Sequence, residues 1–537
     1  MSGVWDISWP SHPDHRPGGE VIAAMIFTTS FLPIDNLSLL MLILIAVLFP
    51  MVFLFSLSYI KRNLGRFYFV LAITLASMVG CVLARDFLSL YVFLEIMTVG
   101  IYFLIIDNTK KESFRAGFKY ILMMFAGGLF ILAAALMLYN LTGTFSMAEI
   151  AGVARTLPKT SVQLIMTLFI IGCLFEIGAV PFHIWLPEAH PIAPSPISAL
   201  LSGVVIKIGA YGIIRMLFTL GLAMPGLVLI GATSMLFGVV LALRQTNIKR
   251  LLAYSSISQM GYVLLGIGIG TGVGIGGGIF HILNHATFKM LLFLCMGAVI
   301  YAAGERDIRK LGGLAKRMPI TVATFGIGAL AISGIPPFNG FASKALIASA
   351  ISGNLLLKSV LLITAAGTFA VFFRLFLHVF AGEVPPAVKK TRKVPLLMCV
   401  PMVILAGICL VVGLVPNLIL GKLISPVIAV SLTYKFWSLK LLLETFIIMS
   451  LGAGIYIVGM KTGLLGVGAA VQERKGSLLF SFLSLNKIVN LGAALIEVMA
   501  LLIRKVFTRS LSAYLLWIFM ALAGLLLYFF AKTSGLI

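Results

Sequence analysis

Runs of about twenty consecutive apolar residues recur along nearly the whole chain. At the helical rise such a run matches the hydrocarbon thickness of a bilayer, so the chain is read as crossing a membrane many times. Inside hydrocarbon every backbone N–H and C=O must find a partner within the protein, which leaves helices or closed barrels. The runs are about twice the length of a barrel strand and do not alternate, so the expected fold is all-α and polytopic. Composition excludes a soluble domain: of 537 residues 61% are hydrophobic and only 11% charged, with a mean hydropathy of +1.12.

Hydropathy places about fourteen transmembrane helices, near 37–59, 66–85, 87–106, 118–139, 162–182, 195–218, 224–243, 251–270, 275–301, 319–353, 357–379, 395–420, 438–460 and 511–531. Loops after odd-numbered spans are basic, as in "KRNLGR", "RQTNIKR" and "GERDIRKLGGLAKR", whereas those after even-numbered spans, such as "GIGTGVGIG", are poor in Lys and Arg. The fifth span's loop, "HIWLPEAHP", is the exception. Positive-inside bias then puts the basic loops in the cytoplasm and both termini outside, as expected of a multi-pass protein of the cell (inner) membrane. The same bias accounts for the net charge of +23, from 40 Lys+Arg against 17 Asp+Glu, without any nucleic-acid partner.

Three regions are expected: an N-terminal extracytoplasmic or interfacial segment at 1–36, a transmembrane core at 37–420 and a C-terminal extension at 421–537. Met1–Glu20 is polar and lacks the pattern of a cleaved signal peptide, and the apolar piece at 21–33 reads as re-entrant or interfacial. Residues 476–508 carry sparse charges among apolar residues; a lateral amphipathic helix is favoured over a fifteenth span. Cys81, Cys173, Cys295, Cys399 and Cys409 lie in apolar spans with no CxxC pair, which argues against a disulfide framework, zinc or an iron–sulfur cluster.

Ionisable groups at membrane depth are costly and mark function by default. Those far from span ends are Glu95, Glu176, Lys207, His281, His285, Lys289 and Lys344. His281, His285 and Lys289 are four apart and share one helix face, as a proton relay of short hops requires. A metal pair at His281 and His285 lacks an evident third ligand. Glu444, near the start of its span, reads as interfacial, and Arg374 and His378, at a cytoplasmic span end, as snorkelling. Two spans are interrupted, by "AVPFHIWLP" and "SGIPPFNGFAS", five spans apart. Broken helices at matching positions point to an inverted repeat with the ion path at the breaks, and Glu176 and Lys344 each adjoin one.

"PFHIWLPEAHPIAPSPISALLSGVVIKIGAYGIIR", "NIKRLLAYSSISQMGYVLLGIG", "FHILNHATFKMLLFL" and "GIPPFNGFASK" resemble the antiporter-like subunits of respiratory complex I, Mrp cation/proton antiporters and membrane-bound hydrogenases of the formate hydrogenlyase and energy-converting type. The resemblance covers about residues 33–420 and implies two inverted five-helix repeats with discontinuous helices. It implies a translocating membrane subunit of a multisubunit complex, with other membrane subunits, peripheral redox subunits, H+ and/or Na+ and the lipid bilayer as its partners. Glu95 falls on the family's first-helix glutamate, Lys207 on its third relay position, His281 and His285 on the histidine helix and Lys344 on the exit. Lys289 extends that histidine face. Glu176 departs from the pattern, standing where the family places a lysine, and the family's first two spans lack counterparts.

Two carboxylates cannot form the ion pair a lysine would give; they are expected to share a proton or bind a cation such as Na+, with Lys207 neutralising one of them. No redox cofactor or metal of the chain's own is expected. A non-pumping membrane anchor and a transporter subunit coupled to inorganic-carbon uptake are the alternative readings.

Overall fold

A computed structural model of the chain describes residues 34–106, 111–351, 353–388 and 391–461. The C-terminal 511–531 span, the 476–508 segment and the 21–33 piece lie outside the described residues. Among the described residues secondary structure is helical apart from two isolated β-bridges, and twelve helices are long and apolar enough to cross a membrane. A further crossing is made from two shorter pieces. In chain order these are α1 (Asn36–Tyr59), α2 (Leu64–Leu83), α3 (Phe87–Ile105), α4 (Lys111–Thr142), α5a (Lys159–Ile177) with α5b (Leu186–Ile192), and α6 (Ser195–Leu220). They continue as α7 (Gly226–Arg244), α8 (Ile248–Gly268), α9 (Gly272–Ala303), α10a (Pro319–Ser333) with α10b (Asn339–Ala350), α11 (Leu355–Phe380), α12 (Leu396–Leu414) and α13 (Leu439–Lys461).

The repeat is visible in the backbone. Arg85–Met147 is bridged by Phe87 N–H to Phe145 O at 3.1 Å and Met147 N–H to Arg85 O at 2.9 Å. The same clip recurs where Ile248 N–H meets Arg306 O and Ile308 N–H meets Thr246 O, both at 2.9 Å. Each clip joins the residue before the second helix of a five-helix unit to the fourth residue past the end of its third. Each also starts its helix with a polar cap: Asp86 accepts from Ser89 N–H, and Asn247 from the N–H groups of Lys249 and Arg250. One clip follows an even crossing and the other an odd one, so they lie on opposite faces and the units α2–α6 and α7–α11 are inverted.

Both fourth helices break in the same way. α5a ends on Gly178 and α10a on Gly334, both left-handed at φ 69° and 78°, where only glycine avoids strain. A proline-containing turn follows each, and the chain resumes as α5b and α10b. Within lipid no hydrophobic effect draws helices together, so close packing of small residues matters. A Cβ on Gly231 of α7 would lie 2.7 Å from Gly261 O of α8. α6, α8 and α9 are enclosed on nearly all sides, while α13 presents most of its surface outward.

Candidate functional site

The seven residues expected to carry ions fall into two groups. On α3, Glu95 pushes its carboxylate against α4, where a Cβ on Gly128 would lie 1.8 Å from Glu95 Oε1; glycine is the one residue that leaves this space. Glu176 occupies the last turn of α5a beside the break and is buried. The two carboxylates are within electrostatic reach of each other, and each holds one buried oxygen without a hydrogen-bond partner. Tyr120 of α4, with its ring 5.2 Å from Trp185, stands within reach of both.

The second group is a file of lysines and histidines. In α6 a π-turn at Leu201–Val205 disturbs the regular ladder. Lys207 Nζ donates to the Ser202 carbonyl in that turn, and the Ser202 hydroxyl meets Ser256 of α8 at 2.8 Å. Lys289 of α9 donates to Leu252 O at 2.7 Å and to the Ser255 hydroxyl. His285 is buried with both ring nitrogens unpartnered, within electrostatic reach of Lys207, Lys289, His281 and Lys344. Its ring lies 6.1 Å from that of His281. His281 Nδ1 meets the Ser343 hydroxyl at 2.9 Å. One residue on, Lys344 of α10b donates to Ile332 O of α10a at 2.6 Å, and its ammonium lies 4.8 Å from the centre of the Tyr262 ring. Lysines thus sit on carbonyls and hydroxyls that can hold the ammonium yet release its proton to a neighbouring imidazole.

One expected pairing does not form. Glu176 packs against α6, its Cβ 3.0 Å from where a Cβ on Gly209 would be. Lys207, two residues earlier, turns instead to the Ser202 carbonyl and the Lys289 side. Among the described residues no ion pair joins either glutamate to a lysine. Lys207 therefore belongs with the histidines and does not neutralise an acidic pair.

Two residues that the sequence left aside join the file. Lys249, in the first turn of α8, is buried and donates to Ala193 O at 2.6 Å, at the end of α5b. His190 in α5b is buried, stacks on Phe293 at 4.6 Å, and lies within reach of Lys249, Lys207 and Lys289. Together they continue the file toward the basic face. Proximity to a span end disguised both in the sequence. The snorkelling reading of Arg374 is corrected: it is fully buried, and its guanidinium donates to Leu243 O at 2.5 Å and Gln245 O at 2.6 Å, capping the C-terminal end of α7.

An inverted five-helix repeat, a broken helix in each unit and a buried titratable file define a polytopic membrane protein of the antiporter-like type. Residues 84–374 match the family described as NADH:quinone oxidoreductase/Mrp antiporter, TM. The chain belongs to this family. It is 34% identical over 427 residues to hydrogenase-4 component B of Escherichia coli (strain K12), covering 72% of this chain and 63% of that protein. It is 32% identical over 450 residues to Na(+)/H(+) antiporter subunit A1 of Staphylococcus epidermidis, covering 76% and 56%. The chain thus spans about three fifths of the length of these relatives. A solved chain of the membrane-bound sulfane sulfur reductase, an archaeal respiratory membrane complex, superposes with a TM-score of 0.72 at 29% identity, covering 91% of this chain and 88% of that one.

Proposed function

We propose that the chain is a proton- or sodium-translocating antiporter-like subunit of a multisubunit membrane complex of the complex-I-related redox or Mrp type. Its proposed partners are other membrane subunits, with peripheral redox subunits supplying the driving reaction. Family membership supports this reading, and the single observation that carries it is the buried file of Lys207, His285, His281 and Lys344, each within electrostatic reach of His285. Such a file costs too much in an apolar interior to be packing alone. Glu95, Glu176, Lys207, His281, His285, Lys289 and Lys344 are the proposed carriers, with Lys249 and His190 linking them to the basic face. That face is cytoplasmic by the charge of its loops.

A specific observation favours a second reading for part of the molecule. Among the described residues no lysine pairs with Glu95 or Glu176, so these two carboxylates lack an ion pair to open and close, as in an anchoring subunit. Ion flux into vesicles containing the purified whole complex, driven with and without Na+, separates the readings. Driven flux through the wild-type complex that disappears in relay variants is expected; flux indifferent to every relay variant would leave the anchor.

A further inference from the structure

The two units carry matching arginines, each buried near the end of its unit's last helix and close to a surface opening. Arg215 lies near the C-terminal end of α6, and Arg374 near that of α11, the last helix of the other unit. Because the units are inverted, the two guanidiniums sit toward opposite membrane faces.

On α6, Lys207, Tyr211 and Arg215 are four residues apart and form one stripe. Arg215 Nε donates to the Tyr211 hydroxyl at 2.7 Å, and that hydroxyl donates to Val82 O at 2.7 Å, the C-terminal end of α2. Its remaining donors reach Ser38 at 2.5 Å and the Asp35 carboxylate. Asp35 and Arg215 line a cavity of about 230 Å3 on the face away from the basic loops. From that cavity, therefore, the stripe toward Lys207 begins at a guanidinium.

The basic face repeats the arrangement. An open surface depression there is lined by His378, Tyr456 and Glu383. His378 Nδ1 meets Arg374 O at 2.9 Å, and Arg374 lies one turn deeper, against the C-terminal carbonyls of α7, the counterpart of α2. On the opposite side of the same helix, the Phe372 ring is 5.9 Å from Lys289 Nζ. Again a buried guanidinium lies beneath a surface opening.

A guanidinium does not give up its proton in a protein, so it cannot be a relay step. Held by several acceptors, it is a fixed positive charge, and fixed positive charge at a narrow point excludes protons and cations. We infer that Arg215 and Arg374 are paired electrostatic seals, each closing one unit of the repeat to one side of the membrane. This rests on the translocating reading above, because a seal has a purpose only where a path exists.

The test is passive proton leak into vesicles containing the whole complex, read with a pH-sensitive dye under a potassium diffusion potential and no driving reaction. Arg215→Gln and Arg374→Gln are each expected to raise leak about tenfold, the scale of removing one like charge a few ångströms from the path. Arg215→Lys and Arg374→Lys should stay tight; they carry the test if a glutamine variant does not assemble. Asp35→Asn keeps the arginine charge while breaking its pairing, and is expected to stay tight. Unchanged leak in both glutamine variants would overturn the inference. So would leaky lysine variants, or Asp35→Asn leaking as much as Arg215→Gln, since the plug would then be steric. A wild-type complex without driven flux would instead overturn the functional reading, a separate measurement.

Discussion

The first unit, α2–α6, and the second, α7–α11, share a clip, a glycine-ended broken helix and a buried arginine near the end of the last helix, yet they are furnished differently. The first holds Glu95 and Glu176, carboxylates with unpartnered oxygens and no cationic neighbour in bonding distance. The second holds His281, His285, Lys289 and Lys344, whose ammonium groups are bonded to backbone carbonyls while His285 keeps both ring nitrogens unpartnered. Lys207 sits in the first unit and bonds to Ser202 of its own helix, within electrostatic reach of Lys289 in the second. The difference teaches that the backbone repeat fixes where a titratable group can stand at a break, while the side chain sets what is carried there. A lysine on a carbonyl can only pass a proton; two carboxylates can share a proton or bind a cation.

The largest effect is expected in the second unit. Lys344→Ala removes the ammonium from the α10 break and should abolish driven ion flux while the complex still assembles, checked by flux alongside size-exclusion of the purified complex. Retained coupled flux would remove Lys344 from the relay and with it the asymmetry between the units.

A smaller effect is expected for Glu176→Gln, measured as activity, Na+ dependence and flux. Loss of one carboxylate should lower flux several-fold and alter its response to Na+. Values unchanged in all three would make the first unit a relic and favour the anchoring role.

Smallest are the clips, which the comparison treats as scaffold in both units. Asp86→Ala and Asn247→Ala each remove a helix cap, costing about 1 kcal/mol of stability. The Asp86 change should be the larger, since its carboxylate also accepts from the Ser89 hydroxyl at 2.6 Å. Thermal denaturation of the detergent-solubilised complex reads this, with flux unchanged; a flux loss without a stability loss would place the clips in the transport path.

The sequence by itself determined the all-α membrane fold, both breaks and the place of seven titratable residues within apolar helices, six of them buried. Each leaves a one-dimensional mark: run length follows from bilayer thickness, and an ionisable residue amid apolar ones is visible wherever it points. Only the tertiary structure decided the partners. Lys207 turns from Glu176 to Ser202 because of a π-turn that the sequence does not announce. Lys249 and Arg374, near span ends, look like snorkelling residues, yet Ala193 and Leu243 from distant helices supply the carbonyls that hold them inside. A side chain's hydrogen-bond partners come from whichever helices pack beside it, and that packing is set by contacts far apart in the chain.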